Sequence, residues 1–230
     1  MLRSILIAAL LAGAIGGGLL TAIQQLQTTP LILEAEKFET AAGGGPTEQH
    51  ADGHGHEHGE AWSPEAGTER LSFTLLSNVL ASIGFAMLIA CGITLSGHKG
   101  WAKGLLWGLA GYAVFFVAPS LGLHPKLPGT VSAPLQDQHI WWLATVAASA
   151  TGLSLLIFAK SILLKGVGLL FMLIPHLVGT PLPQETNDAI SSELSKDFII
   201  ASSIANGVFW LILGALSGYL MHKVDFSPRL

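Results

Sequence analysis

A histidine-rich stretch lies at residues 50–58, in the polar segment between the first two apolar runs of the chain. It places four imidazoles and two carboxylates within nine residues: His50, Asp52, His54, His56, Glu57 and His58. Imidazole nitrogen combined with carboxylate oxygen suits borderline divalent ions such as Co²⁺, Ni²⁺, Zn²⁺ and Cu²⁺. Thiolate plays no part, because the only cysteine, Cys91, lies inside an apolar run. We interpret the stretch as a metal-gathering loop, with a weak scavenger or a solvated linker as the alternative.

Three further histidines lie near the ends of apolar runs. His176 follows Pro175, and a proline within a helix leaves a backbone carbonyl without its usual partner. An ionisable residue at membrane depth indicates a functional site. His124 and His139 flank another loop, with Asp137 close by. We expect the three histidines to form a receiving site at a pore mouth. The alternatives are surface residues and, for His176, an interfacial hydrogen-bond partner.

The composition is that of a membrane protein. Half of the 230 residues are apolar and 11% are charged, whereas soluble domains carry about 25% charged residues. The 27 glycines are spread through the apolar runs, as close helix packing in lipid favours. One cysteine excludes an intramolecular disulfide and a CxxC site. Neither a phosphate-binding G-x-x-x-x-G-K-[ST] motif nor HExxH occurs. We therefore expect no enzymatic activity, organic cofactor or nucleic-acid partner.

Six apolar runs predict six transmembrane helices in the lipid bilayer, at roughly residues 5–23, 71–96, 104–123, 140–159, 161–179 and 198–221. The fifth is the weakest, because Lys165 interrupts it and Pro175 lies near its end. We expect a short or tilted span there, with Lys165 reaching the interface. The first run could instead be a cleaved signal peptide, which would leave five spans. Its long apolar stretch and the missing A-x-A site favour retention.

The charge distribution orients these spans. With the N-terminus in the cytoplasm, four basic residues lie outside, together with every acidic residue except Asp225. Seven basic residues then lie inside: Arg3, Lys99, Lys103, Lys160, Lys165, Lys223 and Arg229. An excess of Lys and Arg in the inner segments satisfies the positive-inside rule. We therefore predict that both termini are cytoplasmic.

We expect residues 1–230 to form one transmembrane domain, with residues 24–70 as its large extracytoplasmic loop. Residues 40–68 have too little apolar content to fold alone, so the His-rich loop is expected to be largely disordered. Residues 31–38 could form a short interfacial helix. Asn78 and Asn206 lie inside their runs and could face an ion or bond a neighbouring helix. Trp141 and Trp210 are expected to be interfacial anchors.

The odd-numbered runs share a pattern of a basic residue, then glycines, then a turn that bears a proline. The three turns are expected at Thr29-Pro30-Leu31, Ala118-Pro119-Ser120 and Ile174-Pro175-His176. Transporters are often built from repeated units, and repeated hairpins around a central path would suit this pattern. The alternative is convergent composition, since glycine and proline are frequent in membrane helices.

Several segments together resemble the CbtA family, predicted cobalt transporter subunits of bacterial membranes. The similar segments are the glycine-rich first run, the His-rich loop, Leu127-Pro128-Gly129 leading to Trp141-Trp142, residues 173–181 (LIPHLVGTP) and residues 209–219 (FWLILGALSGY). The resemblance covers nearly the whole chain and is most specific at Pro-His-Leu-x-Gly and in the last run. It implies cobalt uptake linked to cobalamin supply, and a small single-span, His-bearing partner subunit.

These observations predict an all-α, polytopic helical bundle in a bacterial inner membrane, acting as the permease subunit for uptake of a divalent transition metal. Co²⁺ is favoured, with Ni²⁺ and Zn²⁺ open, because selectivity arises from site geometry. The loop would capture the ion, and His124, His139 and His176 would pass it on. Self-association into a homo-oligomer is also open. The alternatives are a non-transporting metal-binding accessory or sensor subunit, and a membrane enzyme or assembly factor.

Overall fold

The computed structural model describes residues 2–42, 64, 67–97, 100–183 and 190–225. Every regular element in these ranges is helical, which confirms the predicted all-α class. The six helices are α1 (Leu2–Ala42), α2 (Thr68–Ser96), α3 (Trp101–Ser120), α4 (Leu135–Phe158), α5 (Ile162–Val178) and α6 (Ser192–Asp225).

Five of these helices, all except α5, are long and apolar enough to cross a membrane. Helix α5 has 17 residues and is therefore about 25 Å long, a little shorter than a hydrocarbon core of about 30 Å. Lys165 lies in its first turn, where the long side chain can reach the interface. A sixth crossing by α5 thus remains a prediction that its length allows.

Successive helices run in opposite directions, so basic residues collect on one side of the bundle. The starts of α1, α3 and α5 and the ends of α2, α4 and α6 lie together there, and Gly100 N–H donates to Gly218 O at 3.3 Å. We call this the basic side, because its described residues include Arg3, Lys103, Lys160, Lys165 and Lys223. The opposite side, predicted to face outward, is called the outer side.

Helix α1 is longer than the sequence suggested. Its 41 residues give about 60 Å of helix, roughly twice the hydrocarbon thickness. The helix continues through Pro30 to Ala42, so the predicted turn at Thr29-Pro30-Leu31 is wrong. Residues 31–38 belong to this one helix and do not form a separate interfacial one. Residues 43–63, which hold most of the expected disordered loop, lie outside the described part of the chain.

Tertiary contacts explain why α1 continues past its proline. Ala35 belongs to a buried apolar cluster with Leu127, Ile190, Leu194 and Phe198, and Leu31 and Ile32 pack against it. Further along, Glu36 accepts a hydrogen bond from Arg70 of α2 at 2.9 Å. These contacts hold the outer third of α1 against α2, α6 and the loop after α3, and offset the hydrogen bond that Pro30 cannot donate.

Glycines bring the four helices α1, α2, α3 and α6 into close contact. A Cβ atom added to Gly17 would lie 2.5 Å from the Val79 Cα atom, and one added to Gly218 would lie 2.8 Å from the Gly104 Cα atom. Backbones that approach so closely gain dispersion contacts that a lipid chain cannot match. The buried core between these helices includes Leu20, Ile93, Phe209, Trp210 and Leu213. Trp210, expected at an interface, is therefore a core residue, only 3% exposed.

Helices α4 and α5 form a separate hairpin beside this four-helix bundle. They contact each other through glycines, and a Cβ atom on Gly168 would lie 2.7 Å from the Gly152 carbonyl oxygen. The hairpin meets α3 mainly at its outer end, near Ala118–Ser120 and the preceding π-helical turn Ala113–Val117. This π turn ends two residues before Pro119, which has no N–H with which to continue a regular helix. A cleft therefore separates the hairpin from the bundle on the basic side.

Candidate functional site

The six loop residues that the sequence singled out lie outside the described residues: His50, Asp52, His54, His56, Glu57 and His58. The helices on either side of the loop are described. Helix α1 ends at Ala42 and α2 begins at Thr68. The Glu36–Arg70 contact joins these two helices near the loop. The histidine-rich stretch is thus flanked in sequence by two helices that contact each other on the outer side.

The three remaining candidate histidines all lie toward the outer side, on or next to α3, α4 and α5. His124 and His139 are exposed, whereas His176 is half-buried. Within the described part of the chain, no three His, Cys, Asp or Glu side chains come together as a metal-binding group. These histidines therefore stay candidates for successive contacts with an ion, and they do not form a preassembled cage.

His176 has the most defined surroundings of the three. Its ring lies edge-on to Trp141, with 6.0 Å between ring centroids. The Trp141 Nε1–H donates to the Pro175 carbonyl oxygen at 3.3 Å. Pro175 does not break the helix: α5 continues to Val178, so His176 lies in its last turn. Trp141, expected to be an interfacial anchor, is buried and braces the turn that carries His176.

A polar cavity of about 200 Å³ lies toward the outer side, between α1, α2 and α6. Its polar lining residues are neutral except for one arginine: Gln24, Gln25, Thr28, Thr29, Arg70, Thr74, Ser202 and Asn206. Arg70 pairs with Glu36 at 2.9 Å, so its charge is partly balanced. Amide and hydroxyl oxygens of this kind can replace part of the water shell of a cation. The cavity thus gathers eight polar side chains from three helices.

Asn78 supports the cavity from α2. Its Nδ2 donates to Thr21 Oγ1 at 2.9 Å and to Gln24 Oε1 at 2.6 Å, both on α1. Asn78 is therefore an interhelical hydrogen-bonding residue, one of its two predicted roles. Asn206 lies in the cavity wall, and its Nδ2 donates to Ser202 O of its own helix at 3.0 Å. Of the two asparagines, Asn206 is the one that lines the cavity.

The cavity closes toward the basic side. One turn beyond Gln24 lies Leu20, and one turn beyond Asn206 lies Phe209. Both side chains belong to the buried apolar core. In the described residues, the cavity is therefore lined by polar groups near the outer side, and apolar packing closes it toward the basic side.

Sequence reasoning missed the cavity because residues 24–29 were assigned to a loop. Thr21, Gln24 and Thr28 are spaced three and four residues apart, which places them on one face of a helix. This helical spacing of polar residues continues past the end of the first apolar run. It could have predicted that the helix extends there, with a polar face toward the neighbouring helices. Among the lining residues, Asn206 was predicted from the sequence as a group that could face an ion.

Helix lengths, apolarity and glycine packing define this chain as a multi-pass α-helical membrane protein. A model of the family described as probable cobalt transporter subunit (CbtA) matches residues 2–222. The chain belongs to the CbtA family, as its resemblance indicated. No curated protein and no solved structure matches it.

Proposed function

We propose that this chain is the permease subunit of an uptake system for a divalent transition metal, with Co²⁺ as the favoured substrate. The observation that carries the proposal is the family match over residues 2–222, because that family is described as a cobalt transporter subunit. The metal is substrate, and no organic cofactor is part of the proposal. Ni²⁺ and Zn²⁺ are competing substrates to be tested, since imidazole and carboxylate ligands bind all three ions.

In this proposal the histidine-rich loop captures the ion. His50, His54, His56 and His58 supply imidazole, and Asp52 and Glu57 supply carboxylate. A metal-binding segment tethered next to an entrance raises the local concentration of the ion that it binds. The loop follows α1 and precedes α2, the two helices that form much of the polar cavity, so captured ions are released close to it.

The polar cavity and the outer histidines together form the proposed entrance. Ile32 of the cavity wall packs against the cluster that contains Leu127. His124 lies three residues before Leu127. We propose that His124, His139 and His176 exchange ligands with the arriving ion, and that Asn206 and the neighbouring hydroxyls receive it. Passage beyond Leu20 and Phe209 then requires α1 and α6 to rearrange, as alternating access does in other transporters.

The family description as a subunit supports a partner protein. We propose a small single-span, His-bearing partner in the same bacterial inner membrane, with the basic side of this chain facing the cytoplasm. Co-purification from a membrane extract, with and without bound Co²⁺, tests for this partner and for self-association.

Uptake kinetics with a loop variant test the division of roles. Replacing the four loop histidines together by Ala should raise the Co²⁺ concentration for half-maximal uptake and leave the maximal rate nearly unchanged. In the unmodified chain that concentration should rise as the outside pH falls through the range of histidine titration, about 8 to 5, because protons and metal compete for the same nitrogen. The loop variant should show a weaker dependence. A collapse of its maximal rate would place the loop in the conducting path.

A further inference from the structure

A second, larger cavity lies on the opposite side of the bundle from the polar one. It is a cleft of about 620 Å³ between α2, α3 and α4, within the range of about 300–1,000 Å³ typical of small-molecule sites. Its walls are predominantly apolar and include Leu88, Leu106, Trp107, Ile157 and Phe158. Leu88, Leu106, Ile157 and Phe158 are all more than half exposed. The cleft is therefore open sideways, where a membrane protein meets lipid chains.

The cleft runs from the basic side toward the middle of the bundle. Ser96 and Lys103, at the end of α2 and the start of α3, line its rim. Phe85, Phe115 and Ala150 line its deeper part. Each of the three helices thus contributes lining residues that begin at the basic side and extend inward over two to three helical turns.

Lys103 is the charged residue at this rim, and it forms no ion pair with the described part of the chain. Lys160 and Lys165 lie on the same side, in and just after the turn between α4 and α5. A basic group at the end of an apolar cleft matches one class of ligand, an anionic phospholipid, whose acyl chains are apolar and whose phosphate sits at the interface.

We propose that this cleft binds an anionic phospholipid, with an acyl chain between α3 and α4 and the phosphate at the Lys103 ammonium. Trp107 is held as a fixed wall of the site, because its ring covers Gly92: a Cβ atom there would lie 2.6 Å from Trp107 Cζ3. The Trp107 and Phe158 rings stack at 6.4 Å and join the two walls near the rim. The bound lipid would fill the gap between the bundle and the hairpin.

The lining favours a flexible acyl chain over a helix from another protein. Helix contacts within this chain are made by glycines on both faces, as at Gly104 and Gly218, and small residues are typical of such interfaces. The glycine that lines the cleft, Gly111, is already covered by the Trp210 ring. Most of the exposed lining consists of long, branched and aromatic side chains, such as Leu88, Leu106 and Phe158, among which a lipid chain can adjust its shape.

Native mass spectrometry of the purified full chain, titrated with phosphatidylglycerol or phosphatidylcholine, tests the proposal. Phosphatidylglycerol should bind more tightly, and Lys103→Gln should weaken its binding about five-fold, the effect of one basic residue near an anionic surface. Lys165→Gln, which removes the same charge on the same side outside the cleft lining, should leave binding nearly unchanged. Lys103→Arg should retain it. Inorganic phosphate at equal concentration should not displace the lipid.

A matched pair on α4 tests the apolar part of the site. Ser154 lines the cleft and Thr151 does not; both are exposed and each donates its hydroxyl to a carbonyl of its own helix. Ser154→Phe should fill the cleft and reduce phosphatidylglycerol binding, whereas Thr151→Phe should not. Equal binding of both lipids, or binding that Lys103→Gln and Ser154→Phe leave unaltered, would overturn the proposal. A copurified protein helix that crosslinks to the cleft would also overturn it.

Discussion

Asn78 and Asn206 carry the same side chain on neighbouring helices but bond differently. The Asn78 amide joins α2 to α1 by two hydrogen bonds, whereas the Asn206 amide donates only within α6 and borders the polar cavity. A buried amide that bridges helices contributes to stability. One that lines a cavity is available to a ligand.

Alanine substitutions should separate these two roles. Asn78→Ala should lower the free energy of unfolding by about 0.6–1.7 kcal/mol, the range for interhelical hydrogen bonds in membranes. Asn206→Ala should change stability much less but slow metal uptake, because the cavity loses an oxygen ligand. Thermal unfolding in detergent and uptake by the same preparations measure both quantities. Reduced uptake by Asn78→Ala alone, with unaltered stability, would contradict this assignment.

His176 permits a test of metal ligation at a single side chain. If its imidazole contacts the passing ion, both His176→Ala and His176→Gln should strongly reduce the maximal uptake rate, because an amide is a poor substitute for imidazole on Co²⁺. A His that serves only as a hydrogen-bond partner would tolerate Gln. The test belongs in the background lacking the four loop histidines, with thermal unfolding as the folding control. Normal uptake by His176→Gln there would remove His176 from the path.

At the scale of elements, glycine contacts decide which helices pair. Gly17 and Gly18 are adjacent in α1 but face different surroundings. A Cβ atom on Gly17 would lie 2.5 Å from Val79 Cα, whereas one on Gly18 would meet nothing within 4 Å. A backbone atom cannot move aside as a side chain can, so the α1–α2 contact depends on the missing Cβ.

The neighbouring glycines therefore form a matched pair. Gly17→Ala should destabilise the protein by about 1–3 kcal/mol through overpacking. Gly18→Ala should be neutral or stabilise by up to about 1 kcal/mol, since alanine favours the helix. Thermal unfolding of both variants in one detergent provides the measurement. Equal effects would show that α1 and α2 do not pack as described.

Much of the helical fold was predictable from the sequence, whereas the length of α1 was not. Apolar runs located all six helices, because the bilayer core demands continuous apolar stretches. Residues 24–29 are mostly polar and are followed by Pro30, so the local sequence favoured a loop there, with at most a short separate helix at residues 31–38. Their helix depends on contacts with Leu127, Ile190 and Phe198, which are distant in sequence. The polar cavity was missed for the same reason, while Asn206 was identified from its position in an apolar run.

At the scale of the whole molecule, the chain consists of a glycine-packed bundle and an attached hairpin. The polar cavity lies toward the outer side of the bundle, and the apolar cleft lies between bundle and hairpin toward the basic side. The membrane topology depends on whether the short helix α5 crosses the membrane. If it does, the α4–α5 turn and the start of α6 face opposite sides of the membrane; if it does not, they face the same side.

Single cysteines in a Cys91→Ala background should establish that crossing. Ser132, Ser161 and Ser192 are all exposed. Cysteines at positions 132 and 192 should react with an impermeant thiol reagent added outside, and one at position 161 should react only after the membrane is permeabilised. Reaction of positions 161 and 192 from the same side would show that α5 does not cross.

Metal uptake into proteoliposomes tests the central claim most directly. Purified chain, reconstituted alone or with the copurified partner, is supplied with Co²⁺ outside, and the metal inside is measured over time. We predict saturable Co²⁺ accumulation above that of protein-free vesicles, with Ni²⁺ and Zn²⁺ as competitors. Saturable Co²⁺ binding without accumulation, whether or not the partner is present, would contradict a permease and leave a metal-binding accessory subunit.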